Sequence, residues 1–262
     1  MVVVHPEYAM LILELNDLKE EISDLIVEGD TLTCFICKDV EIDYMLKIGA
    51  LEYKLIVAEN EYKRNCRKME LIEQELKKSS KFNLTKIENK LKKEFKDEEK
   101  IEQDMLADID LAIDMTSYDL YDYDMIEEMN IDYYKLQKMY NPIFNLEETE
   151  EQNKFYEKIR KYYQKGNYKK LHKLAENYNE DDIFQDEIGN LKKLKKKYEK
   201  ILREYKKNIR KIKNAFPYNQ RVILEDENLC RRKKDRLNKE IIEINVQNKK
   251  LEKKIENKLK KL

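Results

Sequence analysis

The chain has no tryptophan and little that punctuates or cross-links a backbone: 4 glycines, 3 prolines, 4 cysteines and 2 histidines in 262 residues. Four scattered glycines cannot build a phosphate-cradling loop. With turn residues this sparse, and β-branched runs bounded by turns almost absent, a sheet is not expected. Cys34-Phe35-Ile36-Cys37 is a lone C-x-x-C. Cys66 and Cys230 add no paired spacing, so neither a disulfide framework nor a four-ligand zinc site is expected. A thioredoxin-like use would need a strand–helix context that is missing, and the thiols read as small buried hydrophobes. His172, beside Lys170 and Lys173, reads as a surface residue rather than a base. No Glu-x-x-His di-metal pattern occurs. The expectation is therefore no enzyme, no cofactor and no metal. No apolar run approaches the length of a membrane span. The first ten residues, MVVVHPEYAM, lack the basic start and long apolar core of a signal peptide. A cytoplasmic protein without a membrane partner is expected.

Charge is what the chain has in quantity. Charged residues make up 41%, alongside 41% hydrophobic residues that include 18 Tyr and 7 Phe. That mixture, with Lys, Glu, Leu and Ile recurring at helical spacing, points to long helices and coiled coil. The bulky aromatics argue against disorder. The net charge of −1 hides an asymmetry: residues 187–262 hold 26 Lys/Arg against 11 Asp/Glu, a net of about +15, and the remainder about −16. The simplest expectation is an acidic half and a basic half that attract each other, within one chain or between two copies. The sharper one is a basic surface that meets nucleic acid or an acidic partner.

Along the chain, a first helix is expected after His5-Pro6, with Met10, Leu11, Leu15, Leu18, Ile22, Leu25 and Ile26 at three–four spacing, ending at Gly29-Asp30. A link at 31–39 then leads to a helix over about 41–78. Its seam, Tyr44, Ile48, Leu51, Leu55, Ala58, Tyr62, Asn65, Met69, Ile72 and Leu76, has the 3.5-residue period of supercoiled packing. These two helices predict an antiparallel hairpin. A break is expected near Ser79-Ser80 and Asn83, further helix over 86–114, and a loop at 115–124. Next come a helix over 125–140, the Asn141-Pro142 break, and a capping box at Thr149-Glu150-Glu151-Gln152. Gly166 predicts a left-handed stop, and Asn167 the cap of a short helix. After Asn179-Glu180-Asp181-Asp182, helices are expected over 187–215 and 225–262, broken at Phe216-Pro217-Tyr218-Asn219. Asn248, at an otherwise apolar seam position, is expected to fix register or oligomer state.

Residues 132–178 carry a resemblance. Tyr133, Lys135, Leu136, Tyr140 and Pro142 occupy the positions of the tyrosine, basic pair, leucine, tyrosine and proline that lead into the His-Pro-Asp loop of J-domains. Phe155, Ile159 and Tyr163 resemble the apolar face of the following helix. The stretches YMLKIGALEYKL and FPYNQRVILEDE are similar to uncharacterised bacterial proteins in which heptad segments surround a J-like domain. The resemblance implies a J-like fold over about 50 residues. In active members the tripeptide is needed to stimulate a DnaK-type chaperone. Here it reads Asn141-Pro142-Ile143, which supplies neither imidazole nor carboxylate.

The expected fold is all-α, with long coiled-coil helical hairpins flanking a small J-like domain. The expected segments are an N-terminal hairpin at 1–80, an acidic connector at 81–124, the J-like domain at 125–180 and a basic hairpin at 187–262. Three functions follow. The first is a non-enzymatic scaffold with a protein partner, or a homo-oligomer through its seams. The second is an anion or nucleic-acid binder, with Lys192, Lys195, Lys196, Arg203, Arg210, Arg231 and Arg232 as the contacting residues. The third is a surviving co-chaperone.

Overall fold

A computed structural model describes residues 6–77, 82–115, 122–144, 149–176 and 187–260. Among them there is no strand, and the protein is all-α. The helices are α1 (Pro6–Thr31), α2 (Cys37–Tyr44), α3 (Ala50–Lys77), α4 (Leu84–Glu94), α5 (Lys96–Met115), α6 (Tyr123–Tyr140), α7 (Glu150–Gln164), α8 (Tyr168–Ala175), α9 (Ile188–Asn214), α10 (Arg221–Glu225) and α11 (Glu227–Leu259). The expected break at 79–80 and most of the expected loop at 115–124 lie outside the described residues.

The chain divides into two compact units, each drawn from two stretches: residues 1–39 with 119–219, and residues 40–118 with 220–262. The segments expected at 1–80 and 187–262 are each shared between both units. The reason lies at residues 29–49. Gly29-Asp30 does not end a helix, and the expected link at 31–39 is helical, with π-helical turns at Leu32–Ile36 and Met45–Gly49. A Cβ on Gly29 would lie 3.2 Å from Ile209 Cδ1. The glycine is therefore an inward position that lets α9 come close, not a stop signal. The antiparallel hairpins give way to two parallel pairs, in which α1 takes α9 and α3 takes α11.

In the first unit, Leu11, Leu15, Ile22 and Ile26 of α1 bury against Leu191, Leu194 and Tyr198 of α9. Burial of these stripes is the main stabilising term, at ~25 cal/mol per Å2 of apolar surface removed from water. Four ion pairs flank the seam and show its direction: Glu7–Lys192, Glu14–Lys195, Glu21–Lys206 and Glu28–Lys213. The glutamates recur at every seventh residue, so one edge of α1 is a carboxylate ladder. Each exposed pair contributes only ~0–1 kcal/mol, so the ladder sets alignment more than stability.

Against this pair lies an antiparallel α6–α7 hairpin with α8 across it. Tyr133 stacks on Tyr163 at 4.0 Å, and Phe35 meets Tyr163 edge-on at 5.4 Å. Met129, Leu136, Ile159 and Leu171 complete the core. The capping box at Thr149 and Gln152 forms, Gly166 has φ 63°, and Asn167 caps α8.

In the second unit, α3 and α11 run parallel, tied by Glu52–Lys233, Asn65–Asn248 and Glu73–Lys258. Leu71, Ile72, Ile87, Leu91 and Ile255 form its core with α4. Tyr44 donates to Glu52 at 2.7 Å, while the Lys233 ammonium sits 4.6 Å over its ring. Leu76, expected in the seam, is 39% exposed.

Candidate functional site

The Asn141-Pro142-Ile143 loop is held from three sides. Before Pro142, Asn141 is pushed into the extended region at φ −69°, ψ 123°, which ends α6. Its side chain then works inward and is only 2% exposed. Asn141 Oδ1 accepts from Ile143 N at 3.0 Å, and its Nδ2 donates to Gln137 Oε1 at 2.7 Å. Tyr156 OH donates to the same oxygen at 2.7 Å. The Ile143 amide fixes which way the Asn141 amide points, and that fixes Gln137. Gln137 Nε2 is buried and has no hydrogen-bond partner among the described residues, a cost of ~1–3 kcal/mol.

A short 3-10 turn, Pro142–Phe144, then drives Phe144 into the α1–α9 seam. Its ring meets Tyr198 edge-on at 5.7 Å, and the Lys19 ammonium lies 5.5 Å over it. Tyr198 OH donates to the Phe144 carbonyl at 3.3 Å, and Lys197 Nζ reaches the Ile143 carbonyl at 3.5 Å. Lys19 is 4% exposed. Burial, with the nearby Lys138 charge, lowers its ammonium to about 8.

The expected helix residues of the motif are structural. Tyr133 is fully buried and donates to Asp30 Oδ2 at 2.7 Å; Leu136 is buried; Tyr140 packs edge-on against Phe155 at 4.8 Å. Lys135 lies 3.9 Å from Asp132, and Lys138 pairs with Glu20 at 3.4 Å.

Beside the loop opens a cleft of about 430 Å3, walled by Asp30, Asn141, Ile143, Tyr156, Arg160 and Tyr205. It joins a carboxylate, a guanidinium and two phenols. Burial pushes the Tyr156 phenol up to about 12, which makes it a neutral hydrogen-bond donor at physiological pH, not a base. Next to it, Tyr163 OH contacts Asn130 Oδ1 at 2.5 Å and Thr31 Oγ1 at 2.7 Å. A second cleft of about 600 Å3 is walled mainly by apolar side chains, including Val27, Leu32, Ile36 and Ile131, with Asp24 and Glu28 at its edge.

The sequence did not suggest one pairing. His172 is half-exposed, and its Nδ1 contacts the buried Asp132 Oδ2 at 2.7 Å, with Tyr168 stacked on its ring. The pair is oriented like an acid–base relay, and among the described residues Asp132 is the only side chain hydrogen-bonded to the imidazole. Among the described residues no cluster of His, Cys, Asp and Glu could hold a metal ion, and no helix is long and apolar enough to cross a membrane. The four cysteines are thiols rather than disulfides, and burial raises that of Cys34.

The basic residues named from the sequence separate into three groups. Lys192 and Lys195 are taken by Glu7 and Glu14. Lys196, Arg203 and Arg210 are exposed on α9, away from its seam. Arg231 and Arg232 are exposed on α11 in the other unit, with Arg231 donating to Asn228 at 3.1 Å. No family model, no curated protein and no solved structure matches the chain.

Proposed function

We propose that the chain is a non-enzymatic interaction scaffold in which α6, α7 and α8 are a J-like docking module whose activating loop has become a structural clamp. One observation carries this reading: Asn141 is buried and Phe144 is plugged between α1 and α9, with Tyr198 bonded to its carbonyl. A loop that must be free to engage a DnaK-type chaperone is here engaged by its own chain. The residue types agree, since Asn141 and Ile143 supply neither the imidazole nor the carboxylate of the active tripeptide. Docking is then the task of the remaining surface. The larger cleft, with Ile131 standing 58% exposed on its wall, suits a protein partner bearing apolar side chains.

The test is the ATPase of a DnaK-type chaperone with and without the full-length protein. No change in turnover is expected. Introducing Asn141→His with Ile143→Asp leaves turnover unchanged as well, because α9 still covers the loop. Stimulation by the wild-type chain would overturn the proposal and restore the co-chaperone reading.

A further inference from the structure

The charge of α9 looks from sequence like a collar around the helix. The ion-pair ladder sorts it into two sets. Lys192, Lys195, Lys206 and Lys213 flank the seam and are paired with the α1 glutamates. Lys193, Lys196, Lys200, Arg203, Lys207 and Arg210 are all exposed, and none has an ion-pair partner among the described residues. Their spacing alternates three and four, so they form one stripe. At 100° per residue the stripe lies opposite Leu191, Leu194, Tyr198 and Ile209, which bury against α1. The helix's own carboxylates, Glu199 and Glu204, pair with none of the six.

We propose that this outer face of α9 is a docking ridge for the phosphate backbone of nucleic acid. Six cations over 18 residues, 17 steps of 1.5 Å, make a straight row of ~25 Å. A duplex carries one phosphate charge per ~1.7 Å of its axis, both strands counted, so the length spanned by the row offers more phosphates than the row has cations. Backbone binding needs only cations on a rigid convex support, because the favourable term is release of condensed counterions. The ridge has that and nothing else. It carries no exposed apolar residue, and so lacks the anchor on which protein interfaces depend. An acidic helix docking there would gain exposed ion pairs alone, at ~0–1 kcal/mol each. A membrane surface is disfavoured for the same reason, since the apolar face of α9 that would insert is spent on α1. The contacts proposed are to phosphate, which position a protein on nucleic acid without reading its sequence. This inference goes beyond the scaffold reading and does not depend on it.

The experiment measures binding of the full-length protein to labelled 30-base-pair DNA and RNA duplexes between 50 and 200 mM salt. Affinity for at least one duplex is expected to fall roughly 10³-fold over that range, a log–log slope near −5 at ~0.9 per phosphate neutralised. Lys196→Ala, Arg203→Ala and Arg210→Ala together lower the slope by about 3. Lys206→Ala with Lys213→Ala, which removes paired cations, leaves it unchanged. Circular dichroism of both variants confirms that helicity is retained. The proposal is overturned by no binding to either duplex at 50 mM salt, or by equal losses in the two variants. It is also overturned if vesicles of three parts phosphatidylcholine to one part phosphatidylserine bind as tightly as the duplexes.

Discussion

Asn65 on α3 donates from Nδ2 to Asn248 Oδ1 on α11 at 2.8 Å, across 183 positions of sequence. Both sit at seam positions where every neighbour along the stripe is apolar or aromatic. Asn248 is 4% exposed and Asn65 half-buried, and Glu252 Oε1 lies 3.5 Å from the Nδ2 of each, so the two amides and one carboxylate form a small network. A polar pair of this kind costs stability and selects one register, because any slip leaves the buried Asn248 amide facing apolar side chains. Asn65→Ala is expected to cost ~1–3 kcal/mol in urea unfolding, the penalty of leaving Asn248 short of a partner. Replacing both by Leu raises stability above wild type while broadening the folded ensemble, which size-exclusion profiles and amide spectra would register.

The buried Lys19 gives the protein an alkaline rise in stability. Its ammonium is lowered from an ordinary value near 10.5 to about 8 by burial first and by Lys138 second. Between those values the unfolded chain holds the proton and the folded chain does not, so the unfolding free energy increases with pH. The penalty at neutral pH is roughly 3 kcal/mol, fully present below pH 8 and relieved as pH climbs towards 10. Above 10 the trend reverses, because burial raises the phenols of Tyr133, Tyr163 and Tyr198 and their ionisation favours the unfolded chain. Lys19→Met is expected to stabilise the protein at pH 7 and to flatten the curve between 7.5 and 9.5. Parallel curves for the two proteins would refute this account of Lys19.

Gly29 and Ile209 test the α1–α9 contact. Gly29→Leu gains ~1 kcal/mol of helix propensity. It nevertheless destabilises the fold by ~1–3 kcal/mol, because its side chain must displace Ile209. Adding Ile209→Ala to Gly29→Leu recovers stability, whereas Ile209→Ala alone costs ~2–5 kcal/mol. Additive losses in thermal melts would mean that the two positions do not touch.

Phe144 is the plug of the clamp. Phe144→Ala is expected to cost ~3–5 kcal/mol through the cavity left between α1 and α9. Tyr198→Phe, which keeps the ring and loses only the bond to the Phe144 carbonyl, costs ~1 kcal/mol or less.

What could be read in the sequence was what is local. The capping box at Thr149, the left-handed Gly166, the Asn167 cap and the Pro142 break each follow from a few neighbouring residues, and each is present. The seam faces were readable too, because a 3.5-residue period marks which side of a helix is buried. Period does not say what buries it or in which direction the partner runs. That is why the helices of residues 1–77 and 187–260 read as hairpins when they form parallel pairs with each other's stretch. Gly29 misled because a glycine before Asp30 looks like a stop, and only the distance to Ile209 reveals a close approach. The carboxylates at 7, 14, 21 and 28 were a readable signal that was overlooked: a seven-residue repeat of one charge sign is the edge of a seam. Asp132 and His172 stand 40 positions apart, and no local pattern links them.

The clamp is probed most directly by hydrogen exchange at the backbone amides of Ile143 and Phe144, bonded to Asn141 Oδ1 and to the Asn141 carbonyl at 3.0 Å each. With the loop held under α9, both amides should exchange as slowly as those in the middle of α6, and Tyr198→Ala should release them while α6 stays protected. Exchange of both amides at the rate of an unstructured peptide in the wild-type chain would mean that the loop is free, and would contradict the claim that the chain has closed its own activating site.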